Sequence, residues 1–297
     1  MPKQPMLRLR ALRRTLALLA LLLLLAAATL ALATTAHAQA TKIFVASYGN
    51  DANDGSRGSP KRNFQPAHDA VAAGGEIVVL DTAGYGALAI KKSLAVTVPP
   101  GVNGFVTVSS GNAISITAGS GDTVSLRGLI VEGGGSSIGS GIYVGSVGTL
   151  AIEDCTVRNF GQGIYAYAST AAQIAIYNTS VRTCQYGLYF SNSAAINVHA
   201  VATGCRLDRC TITGAECAAG TNGAVDLTLE SSTVHSGGVG LLANGATSVL
   251  LASNCTITDN ASQGASSVSG GQVISRVNNT LVNNAGGNTF PGTYSAK

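Results

Sequence analysis

Leu150-Ala-Ile-Glu-Asp-Cys-Thr-Val157 is followed by Ile174-Ala-Ile-Tyr-Asn-Thr-Ser-Val181, and that echo decides the fold. The same pattern, small apolar, x, apolar, polar residues, Thr or Ser, apolar, returns four more times. The copies read Cys205-Arg-Leu-Asp-Arg-Cys-Thr-Ile212, Leu227-Thr-Leu-Glu-Ser-Ser-Thr-Val234, Leu250-Leu-Ala-Ser-Asn-Cys-Thr-Ile257 and Ile274-Ser-Arg-Val-Asn-Asn-Thr-Leu281. Val124-Ser-Leu-Arg-Gly-Leu-Ile130 is a looser early copy. The last positions of the six are spaced 24, 31, 22, 23 and 24 residues. About seven residues after several anchors a second motif follows: Gly163-Ile-Tyr165, Gly187-Leu-Tyr189, Gly240-Leu-Leu242, with Gly141-Ile-Tyr143 as an earlier copy.

A period near 23 with two-residue alternation and no 3.6-residue pattern predicts short strands turning corners. One repeat cannot bury its own apolar face, whereas stacked repeats can. A leucine-rich repeat has a similar length, but its Leu-x-x-Leu-x-Leu-x-x-Asn string is absent. Three short strands per turn, with Gly and Ser at the corners, fit an all-β parallel β-helix solenoid. The 31-residue spacing then implies an insertion of about seven residues around Ala200 to Gly204.

These repeats resemble those of right-handed parallel β-helix proteins of the pectate-lyase-like superfamily. There the segment reads roughly apolar-x-Ile-x-x-Asn-x-Ile, then a loop, then Gly-Ile-Tyr. The stretch Ile43-Phe-Val-Ala-Ser-Tyr-Gly-Asn-Asp-Ala-Asn-Asp-Gly-Ser56, with Pro60, Phe64-Gln-Pro-Ala-His-Asp-Ala70, Gly74-Gly-Glu-Ile77 and Gly84-Tyr85, is similar to the family's entry segment. The resemblance covers residues 43–285 and implies a right-handed solenoid. It does not fix an activity, because one fold hosts lyases, hydrolases, epimerases, binding modules and structural spikes. Open ends need covers. Residues 64–73 are expected to form a short capping helix within an N-terminal cap over 43–85. Coils are expected over 86–285, and a C-terminal cover over 286–297.

Charged residues are 11% of the 297, against about 25% in an average globular chain. That excludes coiled coils, helical bundles and charge-rich disordered tails. The net charge of +4 comes from Lys3, Arg8, Arg10, Arg13 and Arg14; beyond them 13 basic residues face 14 acidic ones. No basic patch argues for nucleic acid. The basic start, the apolar run Leu16 to Ala33 and Ala36-His37-Ala38 read as a signal peptide over 1–38. The run is long, so an uncleaved anchor is the alternative, and Arg13-Arg14 hints at twin-arginine export. The remaining chain, 39–297, is expected to be one domain, periplasmic or secreted, with no membrane span after cleavage.

Equivalent residues on successive coils lie about 4.8 Å apart, so each column reads as a unit. Ile164 points inward, so Tyr165 points outward, and Tyr143, Tyr165 and Tyr189 should form a ladder with Tyr167 beside it. The resemblance places this strand in the family's first sheet, whose outer face is the saccharide cleft. Tyr offers an apolar ring and a hydroxyl suited to sugars; the same ladder also serves simply to stabilise the sheet. Arg158 and Arg182 share a repeat position and are candidates to clamp a uronate carboxylate, as Arg does in bidentate fashion. Gln162, Gln185, His235, Asp259 and Asn260 flank the same face. The column Cys155, Thr179, Cys210, Ser232, Cys255, Asn279 reads as small buried groups. Cys184 and Cys217 fall in loops on neighbouring coils and are the pair expected to bridge. No Cys/His spacing suggests zinc.

Catalytic residues are not identifiable. Polygalacturonase-like hydrolases carry a paired Asp-Asp, a Gly-His-Gly and an Arg-x-Lys, none of which occurs. Glu153, Asp208 and Glu230 are read as a solvated column of the second sheet, and Arg206-Leu-Asp-Arg209 with His199 as the densest charge cluster. Asp51-Ala-Asn-Asp-Gly55 fails the EF-hand spacing, which leaves a structural calcium as the lesser alternative to Asx-turn chemistry. The sequons at Asn178, Asn254, Asn260 and Asn278 follow from Asn-rich corners. The leading expectation is an exported polysaccharide-binding or surface protein without a cofactor. A polysaccharide lyase acting on uronates near Arg158, Arg182 and His235 is the first alternative, and a purely structural envelope solenoid the second.

Overall fold

The chain divides into two units, Met1–Gln39 and Ala40–Lys297. The computed structural model describes residues 39–192, 195–220 and 223–294, together with Leu19. Apart from Leu19, the expected signal peptide over 1–38 therefore lies outside the described residues. No helix among the described residues is long and apolar enough to cross a membrane.

The second unit is a parallel β-solenoid of three sheets. Sheet A has 11 strands, sheet B 9 and sheet C 8. One coil runs through Thr149–Glu153 in sheet A, Thr156–Arg158 in sheet B and Gln162–Ala168 in sheet C, and then returns to sheet A at Ala172–Tyr177. The pairings between coils are parallel and in register, for example Leu150↔Ile174, Val157↔Val181 and Ile164↔Leu188. Inward residues such as Ile152, Val157, Ile164, Ile176 and Val181 are fully buried. Each such side chain contributes about 1.5–3 kcal/mol of hydrophobic stabilisation.

Corners are as regular as strands. Between sheets A and B the backbone of successive coils turns through a left-handed residue at Asp154, Asn178, Gly204, Ser231 and Asn254. Asn159, Thr183, Arg209, Ser236 and Asp259 do the same between B and C. Asn, Asp and Gly accept this conformation readily, which accounts for the Asn/Asp-rich corners. The Gly of each Gly-Ile-Tyr motif has a different reason. A Cβ on Gly163 would lie 2.2 Å from Val181 Cγ1 and 2.7 Å from the Gly187 carbonyl oxygen. One on Gly141 would meet Val157 Cγ1 at 2.3 Å, and one on Gly214 would meet Val234 Cγ1 at 2.4 Å. The chain enters sheet C so close to the next coil that no side chain fits.

The register corrects one repeat. Strand Arg206–Asp208 pairs with Ser180–Arg182, so Leu207, not Ile212, is the equivalent of Val181. The sheet A strand of this coil is Val198–Thr203, with Ala200 and Ala202 at the inward positions of Ile174 and Ile176. Ala200 to Gly204 is therefore no insertion. The spacings from Val157 onward become 24, 26, 27, 23 and 24. The sheet C strand just before these small residues, Tyr186–Asn192, buries the large ring of Phe190.

The A-to-B corner column is consequently Cys155, Thr179, Cys205, Ser232, Cys255, Asn279, with thiol and oxygen alternating. Each cysteine donates its backbone N–H to the oxygen one coil on: Cys155 to Thr179 Oγ1 at 3.3 Å, Cys205 to Ser232 Oγ at 3.0 Å, Cys255 to Asn279 Oδ1 at 2.7 Å. Cys210 stands at the B-to-C corner, in the column of Phe160 and Cys184. Cys217 lies within sheet C, between Phe190 and Ala243. The expected Cys184–Cys217 bridge is not formed, because the two occupy different columns; all six cysteines are buried free thiols.

The capping helix spans Phe64–Ala70 and buries Phe64, Ala67 and His68. It stops earlier than expected because Val71 is extended and starts the strand Val71–Val79, whose register begins at Ala40↔Val71. Sheet A thus already includes Ala40–Val45 and Val71–Val79. At the other end Gly292–Thr293 adds its eleventh strand, pairing Ile274 with Gly292.

Candidate functional site

The outer face of sheet C carries the tyrosines. Register places Ser115, Tyr143, Tyr165, Tyr189, Glu216, Leu242 and Ser266 in one outward column. The Tyr165 and Tyr189 rings stack at 5.0 Å between centroids and 9° between planes. Tyr143 tilts onto Tyr165 at 5.7 Å, and Tyr167 lies beside Tyr165 at 6.2 Å. Tyr186 stacks on Tyr189 at 5.0 Å. Five tyrosines therefore form one continuous aromatic strip, held by backbone spacing rather than by loops. The rings of this strip come from three neighbouring strands, Ser140–Ser146, Gln162–Ala168 and Tyr186–Asn192.

Glu216 closes the strip. It pairs with Tyr189 on one side and Leu242 on the other, and only 6% of its surface is exposed. Burial pushes its carboxyl above the ordinary glutamate value, against a smaller opposing pull from the Thr213 hydroxyl. Thr213 Oγ1 is itself buried and has no partner of ordinary hydrogen-bond geometry among the described residues. The Tyr189 hydroxyl is pushed up to about 12, by burial first and then by the nearby Glu216. Tyr186 shifts the same way for the same two reasons. Glu216 is the single charged residue in the eight strands of sheet C.

The arginines stand on sheet B. Arg158 and Arg182 are direct neighbours, as their shared repeat position implies. Their column reads Glu132, Arg158, Arg182, Asp208, His235, Thr258. Arg158 Nη2 is bound to Glu132 Oε2 at 2.8 Å, so one half of the expected clamp already holds a carboxylate of the protein itself. Asp208 is buried, with Arg209 Nη2 at 3.2 Å and His235 Nδ1 at 3.5 Å. It belongs to this column and not with Glu153 and Glu230, which face sheet A in a column with Tyr177 and Thr203. His199 is likewise on sheet A, paired with Asp226 at 3.0 Å and not with the Arg206–Arg209 cluster. Asn260, expected on a flanking loop, is buried and donates Nδ2 to Asn284 Oδ1 at 2.8 Å.

The Asp51–Gly55 loop holds a cation of its own. Lys61 Nζ donates to the carbonyl oxygens of Asn53 at 2.7 Å and Asp51 at 3.0 Å. Asp51 Oδ1 accepts the backbone N–H groups of Arg62 and Asn63, both at 2.9 Å. An ammonium set among these carbonyls does not fit a calcium ion in the same place. Among the described residues no three His, Cys, Asp or Glu side chains converge as a metal site requires. A recess of about 370 Å³, lined by residues including Val273, Ile274 and Pro291, lies at the C-terminal end, away from the tyrosines. The aromatic strip lies on the outer face of sheet C, apart from that recess.

A family model described as "Right handed beta helix region" matches residues 105–254 and, in an overlapping placement, 140–294. The chain belongs to this family. No curated protein and no solved structure gave a match. Both placements of the β-helix match include the coils that carry Tyr143, Tyr165, Tyr189 and Glu216. Tyr186 and Glu216 were not singled out from the sequence. Their signal was present: Tyr186-Gly-Leu-Tyr189 and Thr213-Gly-Ala-Glu216 are successive copies of the Gly-Ile-Tyr frame. Placing the third anchor five residues late hid the second of them.

Proposed function

We propose that this is an exported β-helix protein that holds a polysaccharide on the outer face of sheet C. The carrying observation is the in-register stack of Tyr143, Tyr165 and Tyr189, flanked by Tyr167 and Tyr186. Flat rings in a row offer apolar faces to sugar C–H groups, while their hydroxyls remain at the edge for hydrogen bonds. Rings fixed by sheet pairing lose little conformational freedom on binding, which favours affinity. An open strip suits a chain that extends past both of its ends.

Affinity electrophoresis of the purified protein through gels containing soluble glycans tests this reading. The double variant Tyr165→Ala/Tyr189→Ala should lose retardation by about tenfold or more, since buried aromatic anchors dominate such contacts. Unchanged retardation would remove the platform reading and leave the structural envelope solenoid. No observation favours the uronate-lyase alternative: Arg158 is engaged by Glu132, and the aromatic strip bears a carboxyl where a uronate needs a cation. Incubation with polyuronates, with and without calcium, followed for unsaturated products, tests that alternative directly.

A further inference from the structure

We propose that Glu216 makes the aromatic strip selective for glycans without carboxylates, by accepting hydrogen bonds from sugar hydroxyls at the end of the tyrosine row. This rests on the platform reading above and adds the class of ligand. Three observations carry it. First, Glu216 lies directly in the column of Tyr143, Tyr165 and Tyr189, one coil beyond Tyr189. A polymer laid along the rings therefore runs onto the carboxyl. Second, Glu216 is more than nine-tenths buried, makes no ion pair among the described residues, and has only the Thr213 hydroxyl of its own strand drawing on its carboxyl. A buried carboxyl with no counterion and a single hydroxyl beside it is under-satisfied, so a ligand that brings hydroxyl donors to it gains more than it would from an exposed one. Thr213 Oγ1, on the same strand, is also buried and makes no hydrogen bond of ordinary geometry among the described residues.

Third, the charge of the face has one sign. The eight strands of sheet C hold Glu216 and no Lys, Arg or His. A uronate carboxylate arriving there meets a like charge in a poorly hydrated place, where repulsion is strong. The cations that would offset it are on sheet B, where Arg158 is already bound to Glu132. Rejection of the wrong ligand by an unpaired like charge is an efficient route to specificity.

The test compares hydroxyethylcellulose, a neutral polymer, with polygalacturonate in affinity gels run in mildly alkaline buffer containing enough salt to screen long-range charge. The wild-type protein should bind the neutral polymer about tenfold or more tightly than the polyuronate. The Glu216→Gln variant should bring the two affinities to within about threefold of each other. Circular dichroism and tyrosine fluorescence confirm that the variant is folded. If it does not fold, the wild-type ratio alone decides. Equal or stronger retention by polygalacturonate, or an unchanged ratio in a folded Glu216→Gln variant, overturns the Glu216 proposal. The platform reading then survives if retention still depends on Tyr165 and Tyr189. Failure of both polymers to retard the wild type removes the platform for these glycans and the Glu216 proposal with it.

Discussion

Two outward columns run side by side along the same coils, and they treat charge in opposite ways. On sheet B, the column Glu132, Arg158, Arg182, Asp208 and His235 mixes both signs, and Arg158 pairs with Glu132 and His235 with Asp208 across coils. On sheet C, the tyrosines lead to a single carboxyl that no cation meets. Registry is the same in both. The difference shows that stacking alone does not make a surface: a column that pairs internally stabilises the solenoid, while one that leaves a charge without a counterion has something left over for a ligand.

The largest effect should come from removing what lets the chain enter sheet C. Gly163→Ala places a Cβ against Val181 Cγ1 and the Gly187 carbonyl, and should cost about 2–3 kcal/mol in a denaturant titration. Thr156→Ala, on the neighbouring sheet B strand of the same coil, should stay within about 0.5 kcal/mol. Equal effects at the two sites would mean that the close approach at sheet C is not needed.

Breaking the sheet B column should cost less. Glu132→Gln leaves the half-buried Arg158 without its carboxylate and should lower stability by about 1 kcal/mol. The loss should shrink in high salt. A salt-independent loss would point to packing instead of charge.

On sheet C the sign reverses. Glu216 has a folded-state pKa raised above the unfolded value by burial, so the native state holds its proton more tightly. Wild-type stability should therefore fall as pH rises from about the ordinary value of 4.5 through the folded-state value. The groups facing Glu216 are Tyr186 and Tyr189 from the preceding coil, Leu242 from the following one and Thr213 on its own strand. None of the tyrosines titrates in that window. Glu216→Gln should be more stable than wild type near neutral pH, by a margin that vanishes well below 4.5. A variant less stable than wild type at neutral pH would show that the carboxylate has a partner.

The smallest expected effect is an absence of reaction in the interior that both columns share. Burial pushes the Cys155 thiol up to about 12 and the Cys184 thiol to about 11. Since the thiolate is the reactive form, a disulfide reagent should label none of the six cysteines in the native protein and all of them in denaturant. Rapid labelling of one native thiol would mean that a corner opens locally.

The winding itself was legible because hydrophobic positions must recur wherever coils stack, and Leu150–Val157 repeats so clearly at Ile174–Val181. The tyrosine ladder followed from that recurrence. The coil after it was not legible, because its inward positions are Ala200 and Ala202, where its neighbour has isoleucines. Alanines carry a weaker apolar signal than the isoleucines they replace, so the strand does not stand out in the sequence. That misplacement moved Cys210 into the wrong column and Asp208 onto the wrong sheet. It also concealed Glu216, whose importance comes from burial without a counterion, and a sequence does not display burial. The Lys61 ammonium in the Asp51–Gly55 loop is similar: the motif suggests ligands, and only three-dimensional structure shows that the cation is a side chain.

Because each coil touches only the one above and the one below, the number of rings in the strip is set by how many coils carry the Gly-Ile-Tyr frame. Duplicating the 24-residue unit between Val157 and Val181 would lengthen the strip by one rung and leave other neighbour relations intact. The reach of this surface can thus change by whole gene-encoded increments, without redesign of a single contact.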